Sequence, residues 1–314
     1  MQKYFPGFYY SGQDNLFSFL NEDSSIVPDA YLLLDLFRIS EGKKFVELLQ
    51  IENIKKYLWI PYDSVWLYHQ LMHSVLIEQI NKVKSTLSYL ISFNESVKNK
   101  YTHPYIGDKL MKKTDQFIKE IKAKLDLELT NLVDTLQNKN NSIVSSIDKL
   151  FPEDKIGTEY SPTELNQLFD EAAKRYAAET PPGYLYDASC QNRRIRYHDY
   201  IVWNEMQKRV IGNNKRNIVF ITNRIRPDWF FIYDKDVLGP RKELIDEFKR
   251  KSQGDIHIVT TYNFVSEVIS YYRREEEYEK LLEQLPNTPI YQYDTQMTEK
   301  GLATSDNKFG NAIG

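Results

Sequence analysis

Two short runs of β-branched and aromatic residues constrain the fold of this chain more than any other feature. Residues 217–222 and 256–261 are typical of buried strands, because each run is apolar through its middle and polar at its ends. A helical pattern follows later in the chain after each of them, and also after an earlier run at residues 25–29. Strands that alternate with helices predict an α/β fold with a mainly parallel central sheet flanked by helices.

A long helical segment interrupts this alternation. Apolar residues recur every three or four positions from about residue 75 to residue 150, with a break at 101–104. This pattern predicts an inserted helical hairpin at 75–150. Its lysine-rich outer face is either a solvated surface or a basic clamp on nucleic acid. Because the chain has few aliphatic residues from residue 286 onward, we predict one domain over 1–285 and an extended or disordered tail at 286–314.

The composition excludes several classes of protein. Hydrophobic residues make up 41% of the chain and charged residues 27%, which is the balance of a globular protein that buries a core. A single cysteine, Cys190, excludes a disulfide framework and a cysteine-cluster zinc site. The chain has no apolar run long enough to span a membrane and begins without the pattern of a secretory signal, so we expect a cytoplasmic protein with no membrane partner.

Acidic residues stand where predicted strands end and helices begin. Asp29 follows the first strand, Asp199 opens a helix, and Asp228 lies just beyond the strand that ends at Thr222. Ligands of parallel α/β sheets bind outside the carboxyl ends of the strands, so these carboxylates are candidates for a Mg²⁺ or Mn²⁺ site that cleaves phosphodiesters. The alternative is that each acid caps the helix it precedes.

Basic residues concentrate in the same part of the sequence. Residues 193–251 contain 15 Lys+Arg and 8 Asp+Glu, so this stretch has a net charge of 15 − 8 = +7, whereas the whole chain has −3. Arg194 precedes Asp199, and Arg224 and Arg226 follow the strand that ends at Thr222. A basic field of this kind suits a nucleic-acid backbone or an acidic partner protein, and charge alone does not separate the two.

Several segments, in the same order, resemble motifs of the bacterial PIN-like domain family, a nuclease fold with a long helical insertion. Residues 27–38 (VPDAYLLLDLFR) resemble its D-T-N-x-L-L-x-L-Y-R element, residues 198–203 (HDYIVW) its G-D-x-x-x-W element, and residues 220–229 (FITNRIRPDW) its x-V-T-D-D-x-K-x-D-W element. Weaker matches lie at residues 5–9, 59–62, 175–187 and 239–248.

The resemblance implies a metal-dependent nuclease, and the departures from it are as informative as the matches. It implies that Asp29 and Asp199 bind the divalent ion and are catalytic, with Asp228 assisting. Tyr31 stands where the family motif has an asparagine, and Arg224 stands where it has an acid. Tyr68 falls at the position where the family's next helix carries a glutamate.

These losses predict a degenerate site. Two carboxylates bind one Mg²⁺ weakly, and an arginine in place of an acid puts a fixed positive charge beside the metal position. We therefore expect a nucleic-acid- or protein-binding subunit in which Arg224, Arg226 and Arg194 contact phosphate. The resemblance also suggests a partner protein in a bacterial toxin or phage-defence complex. The alternative is an active RNase or DNase that uses Mg²⁺ or Mn²⁺ in the reduced acidic site, so the sequence leaves open whether the protein is an enzyme.

Overall fold

The computed structural model describes residues 1, 4–9, 16–99, 101, 103, 105–138, 142–186, 188–212, 216–234 and 236–285. The chain divides into two compact units. One comprises Met1–Tyr68 and the chain from Leu150 onward, and the other comprises His69–Lys149. The tail predicted at 286–314 lies outside the described residues.

A parallel sheet forms the centre of the first unit and confirms the predicted fold class. The strands are β1 (Ser24–Pro28), β2 (Asn217–Thr222), β3 (Phe230–Tyr233), β4 (Asp236–Pro240) and β5 (Asp255–Thr260). The sheet has the order β1-β2-β5, and β3 and β4, which lie between β2 and β5 in the chain, form a separate antiparallel ribbon. In register, Val27 lies opposite Phe220, and Phe220 lies opposite Ile258.

Helices make up most of the remaining described residues. They are α1 (Leu16–Phe19), α2 (Ala30–Asp35), α3 (Gly42–Leu49), α4 (Glu52–Lys55), α5 (Tyr62–Lys98), α6 (Asp108–Asn138), α7 (Ser142–Leu150), α8 (Pro162–Ala177), α9 (Arg193–Arg196), α10 (His198–Gly212), α11 (Lys242–Ser252), α12 (Thr261–Tyr272) and α13 (Glu275–Gln284). Among the described residues, no helix is both long and apolar enough to cross a membrane.

An aromatic cluster packs between the sheet and the helices. The Phe220 ring lies 5.0 Å from Trp229, and the Trp203 ring lies 6.0 Å from Trp229 and 5.3 Å from Phe248. All five residues of β1 are buried, as are the last five of β2 and of β5, so the sheet is covered on both faces. The carboxyl ends of β1 and β2 therefore open onto an interior site and not onto bulk water.

In three segments the structure differs from what the local sequence pattern suggests. Residues 56–61, which look like a strand, contribute only single parallel bridges, Leu58 with Ile26 and Ile60 with Ile156, because α5 starts at Tyr62. The turn-rich stretch at 152–190 contains the helix α8, whose start is fixed by a capping box between Ser161 and Glu164. The β3–β4 ribbon has no strong alternating pattern in the sequence.

The central strand provides a direct test of the core. We expect Phe220→Ala to lower the free energy of unfolding by about 3–5 kcal/mol, because the 2% exposed ring leaves a cavity against Trp229. Phe231→Ala, on the ribbon and 57% exposed, should change it by less than about 0.5 kcal/mol. Urea unfolding of both variants measures the difference, and equal losses would contradict the described packing.

Candidate functional site

The site begins where β1 and β2 end side by side. Asp29 directly follows β1, and its backbone N–H donates to the Ile221 carbonyl at 2.9 Å. Its side chain accepts a hydrogen bond from the Thr222 hydroxyl at 2.8 Å. Although Asp29 precedes α2, its side chain makes no capping hydrogen bond to that helix. The carboxylate therefore faces the neighbouring strand end, where a ligand of the sheet would lie.

Two arginines occupy both oxygens of the second acid. Asp199 is the second residue of α10, and its Oδ1 accepts from Arg224 Nη1 at 2.9 Å while its Oδ2 accepts from Arg226 Nη2. The same Arg226 nitrogen lies 2.9 Å from Asp228 Oδ2. The loop that joins β2 to β3 thus supplies two cations and one further acid. With Asp199, these four groups form one ion-pair network. Asp29 lies at its edge and is coupled to Arg224 and Asp199 electrostatically.

A tight glycine turn covers the network. Gly183 donates its backbone N–H to Asp228 Oδ2 at 2.8 Å and has φ of +94°. A Cβ at this position would collide with the Tyr176 hydroxyl and would lie 2.8 Å from the Cβ of Asp199. Only glycine combines this backbone conformation with this close approach, so the Pro-Pro-Gly segment is constrained by the site that it covers.

Aromatic rings hold Arg224 in place. Its guanidinium carbon lies 4.2 Å from the centre of the Tyr31 ring and 5.4 Å from that of Tyr186. A cation over an aromatic face is attracted by the ring, and the attraction is stronger where water is excluded. Tyr31 therefore supports Arg224 from one side of the site.

The charges in the site are nearly balanced. Burial would raise the pKa of Asp199, but Arg224 and Arg226 outweigh it and hold this pKa at about 2. Burial raises the pKa of Asp29, although His198 and Arg224 oppose the shift. The pKa of Arg224 shifts as well: burial alone would lower it, but Asp199 raises it above the ordinary value. Asp199 is therefore ionised at neutral pH, while Asp29 holds a proton more readily than a free aspartate does.

This donor set does not fit a divalent ion. Both oxygens of Asp199 and one of Asp228 already face guanidinium groups, and a cation placed among them would meet two fixed positive charges. Among the described residues, no group of three or more His, Cys, Asp or Glu side chains is arranged to hold a metal ion. Mg²⁺ and Mn²⁺ need several free oxygen ligands, and here the arginines already occupy the carboxylate oxygens that would supply them.

A second buried cluster lies beside the first and was not singled out from the sequence as a site. Asp63, in the first turn of α5, is 2.7 Å from His198 Nδ1 and 2.5 Å from Arg194 Nε. His198 also affects the pKa of Asp29, so the two clusters are electrostatically linked. The cluster places Arg194 against Asp63 and the Trp66 ring, at 4.3 Å, and so apart from Arg224 and Arg226. The only sequence signal for this cluster is an acid, Asp63, two residues after Pro61. An acid is common in the first turn of any helix, so this signal does not indicate a site.

Glu205 completes this second cluster. It lies on α10, and its Oε1 accepts from the Asp63 backbone N–H at 3.2 Å, at the start of α5. Burial, reinforced by Asp63, raises the pKa of Glu205 to about 8. By contrast, Tyr68, which the sequence placed at a glutamate position, is buried with its ring stacked 6.3 Å from Phe37.

Asp199 and Asp29 should respond differently to neutralisation. We expect Asp199→Asn to lower the free energy of unfolding by about 3 kcal/mol, because it leaves two buried guanidinium groups without their shared anion. Asp29→Asn should change it by less than about 1 kcal/mol, since this carboxyl has a raised pKa and an amide oxygen can still accept from Thr222. Thermal and urea unfolding at pH 7 measure both. Equal losses would mean that Asp199 is not the anchor of the network.

The raised pKa of Glu205 predicts the pH dependence of stability. Between pH about 4.5 and pH about 8 the unfolded chain ionises this carboxyl while the folded chain keeps it protonated. The folded state then binds more protons, so the contribution of Glu205 to stability is greatest at low pH and falls as pH rises through this window. Unfolding free energies measured at intervals from pH 5 to pH 8 should fall less steeply for Glu205→Gln than for the unmodified chain. Parallel curves would contradict the assignment.

Comparison with known proteins identifies the family. No curated protein and no solved structure matches the chain. A family model described as "PIN like domain" matches residues 25–244, which include Asp29, Asp199, Asp228 and the loop that carries Arg224 and Arg226. This match covers more than half of the 314 residues and spans the helical insertion as well as β1 and β2. With its parallel sheet and the acids at the strand ends, the chain belongs to the PIN-like domain family, which has a nuclease fold.

Proposed function

We propose that this protein is a catalytically silent member of its nuclease-fold family that acts by binding. The observation that supports the proposal is the pair of arginines on Asp199, since Arg224 and Arg226 fill the space in which a metal ion would need free carboxylates. In this proposal residues 1–285 form one PIN-like domain, into which the helical hairpin at 75–150 is inserted. The three acids of the site then stabilise its structure and do not catalyse a reaction. The competing proposal is that they are catalytic: Asp29, Asp199 and Asp228.

Nucleic acid is the ligand that the fold family and the charge distribution favour. Residues 193–251 have a net charge of +7, and phosphate contacts by Arg224, Arg226 and Arg194 would use the edges of these side chains that still reach solvent. Their side chains are 13%, 11% and 16% exposed, so a phosphate would have to compete with the carboxylates that hold them. We therefore expect weak binding that falls steeply with salt.

A protein partner is the second candidate, and the β3–β4 ribbon favours it. Phe231, Tyr233 and Leu238 are all more than half exposed on this ribbon, directly after the loop that carries the arginines. Exposed aromatic residues beside charged ones are typical of protein interfaces. A toxin or phage-defence complex in the cytoplasm of a bacterium is a setting that the family resemblance alone suggests.

The deciding experiment measures cleavage and binding on the same preparations. Labelled single-stranded RNA, single-stranded DNA and duplex DNA are incubated with purified protein and Mn²⁺, beside Asp29→Asn as the matched control, because that variant should keep the fold. We expect no cleavage above that of the control, no saturable Mn²⁺ binding by calorimetry, and salt-sensitive binding of at least one nucleic acid.

Two results would count against the proposal. Cleavage that Asp29→Asn lacks would make the chain a metal-dependent nuclease with a reduced site, despite the ion pairs. If the protein neither cleaves nor binds any of the three nucleic acids, then binding of nucleic acid is excluded. The ribbon variant Phe231→Ser with Tyr233→Ser would then be compared with the unmodified chain for loss of a co-purifying protein.

A further inference from the structure

Charge is divided along the long helix α6 in the second unit. Its first part, residues 108–124, contains six lysines and three acids, which gives 6 − 3 = +3. Its last part, residues 125–138, contains three acids and no lysine or arginine, which gives −3. We call these parts the basic half and the acidic half of α6. At 1.5 Å per residue the 31-residue helix is about 46 Å long, so the opposite charges lie well apart.

Much of the apolar surface of α6 is left uncovered. Over residues 108–134, where its side chains are described, Ile118 alone is buried. Leu110, Phe117 and Leu127 are 56%, 60% and 64% exposed. The leucines that follow the helical repeat, Leu125, Leu129 and Leu132, are only partly covered. A helical pair usually buries such a row of leucines by packing against a further pair in a four-helix bundle.

The charges on this helix have few partners within the described chain. Lys98 and Lys119 both pair with Asp115, at 2.6 Å and 3.2 Å. Other charged residues of α6 are exposed and form no ion pair within the described residues. They include Lys112, Lys113, Lys122, Lys124, Asp126, Glu128 and Asp134. The two halves of α6 therefore present unpaired charges of opposite sign beside exposed apolar side chains.

We propose that α6 is the interface through which two copies of this chain associate, with the two α6 helices antiparallel. An antiparallel arrangement places the basic half of each helix against the acidic half of the other, whereas a parallel arrangement in register would place like charges together. A two-fold axis makes both contacts identical, so a single surface suffices. This inference is independent of the proposed function, because it uses only residues of the second unit.

Charge reversal tests the pairing without touching a buried residue. Variant N, Lys112→Glu with Lys113→Glu and Lys124→Glu, changes the basic half from +3 to 3 − 6 = −3. Variant C, Asp126→Lys with Glu128→Lys and Asp134→Lys, changes the acidic half from −3 to −3 + 6 = +3. Each variant then carries one sign along all of α6, and the combination of N and C restores two opposite halves in reversed order.

Sedimentation equilibrium of the full chain at low ionic strength measures the association. We expect the unmodified chain to dimerise, variants N and C each to dimerise at least about tenfold more weakly, and an equimolar mixture of N and C to associate as tightly as the unmodified chain. The combined variant should dimerise again on its own. Raising the salt concentration should weaken dimerisation of the unmodified chain and of the mixed N and C pair, because the attracting charges are exposed. It should instead relieve the repulsion between two copies of N or two copies of C. Circular dichroism confirms that each variant keeps its helix content.

Three outcomes would overturn the proposal. The first is an unmodified chain that stays monomeric at about 0.1 mM in low salt, where a dimer of even modest affinity would form. The second is dimerisation that neither N nor C weakens, which would place the interface elsewhere. The third is variant N that dimerises normally but loses nucleic-acid binding, which would assign the lysines of the basic half to a nucleic-acid clamp.

Discussion

Burial of three carboxylates at the end of one small sheet is the constraint on which the rest of this structure depends. Asp29, Asp199 and Asp228 are each no more than 5% exposed, and a carboxylate in such a place must be paired, protonated or bound to a metal. The described contacts favour the first two solutions. Two arginines of one loop neutralise Asp199 and Asp228, and burial favours a proton on Asp29. Tyr31 and Tyr186 pack against the buried Arg224, and the turn at Gly183 covers the ion pairs.

The second cluster links this site to the start of the longest helix. His198 and Asp199 are adjacent on α10, so one residue faces Asp63 and the other faces the arginines. Glu205 lies farther along the same helix and accepts from the backbone at the start of α5. A single helix therefore aligns both clusters, and a change in its position would disturb the ion pairs and the start of α5 together.

The sequence predicts the outline of the fold but only part of the site. Asn217–Thr222 and Asp255–Thr260 are recognisable because buried parallel strands need nearly continuous β-branched residues. Arg224 beside the acids is also predictable, because the resemblance to the family motif aligns this residue with an acid. The placement of Asp63 against His198 is not, because 135 residues separate them and only the packing of α5 against α10 brings them together. Arg194 pairs with Asp63 and Arg226 pairs with Asp228, so the two arginines lie in different clusters. A count of charges along the sequence cannot assign either arginine to its cluster.

The arrangement of Arg224 and Arg226 has a consequence for how such a protein can evolve. Each arginine holds a different oxygen of Asp199, so replacing one of them leaves the carboxylate still occupied by the other. An open acidic site would therefore need two substitutions, and each single intermediate would leave a buried carboxylate with fewer partners. Such an intermediate would be less stable, and a loss of about 1–2 kcal/mol can lower the abundance of a protein several-fold. Under the proposed function, the two arginines together therefore oppose a return to metal-dependent cleavage.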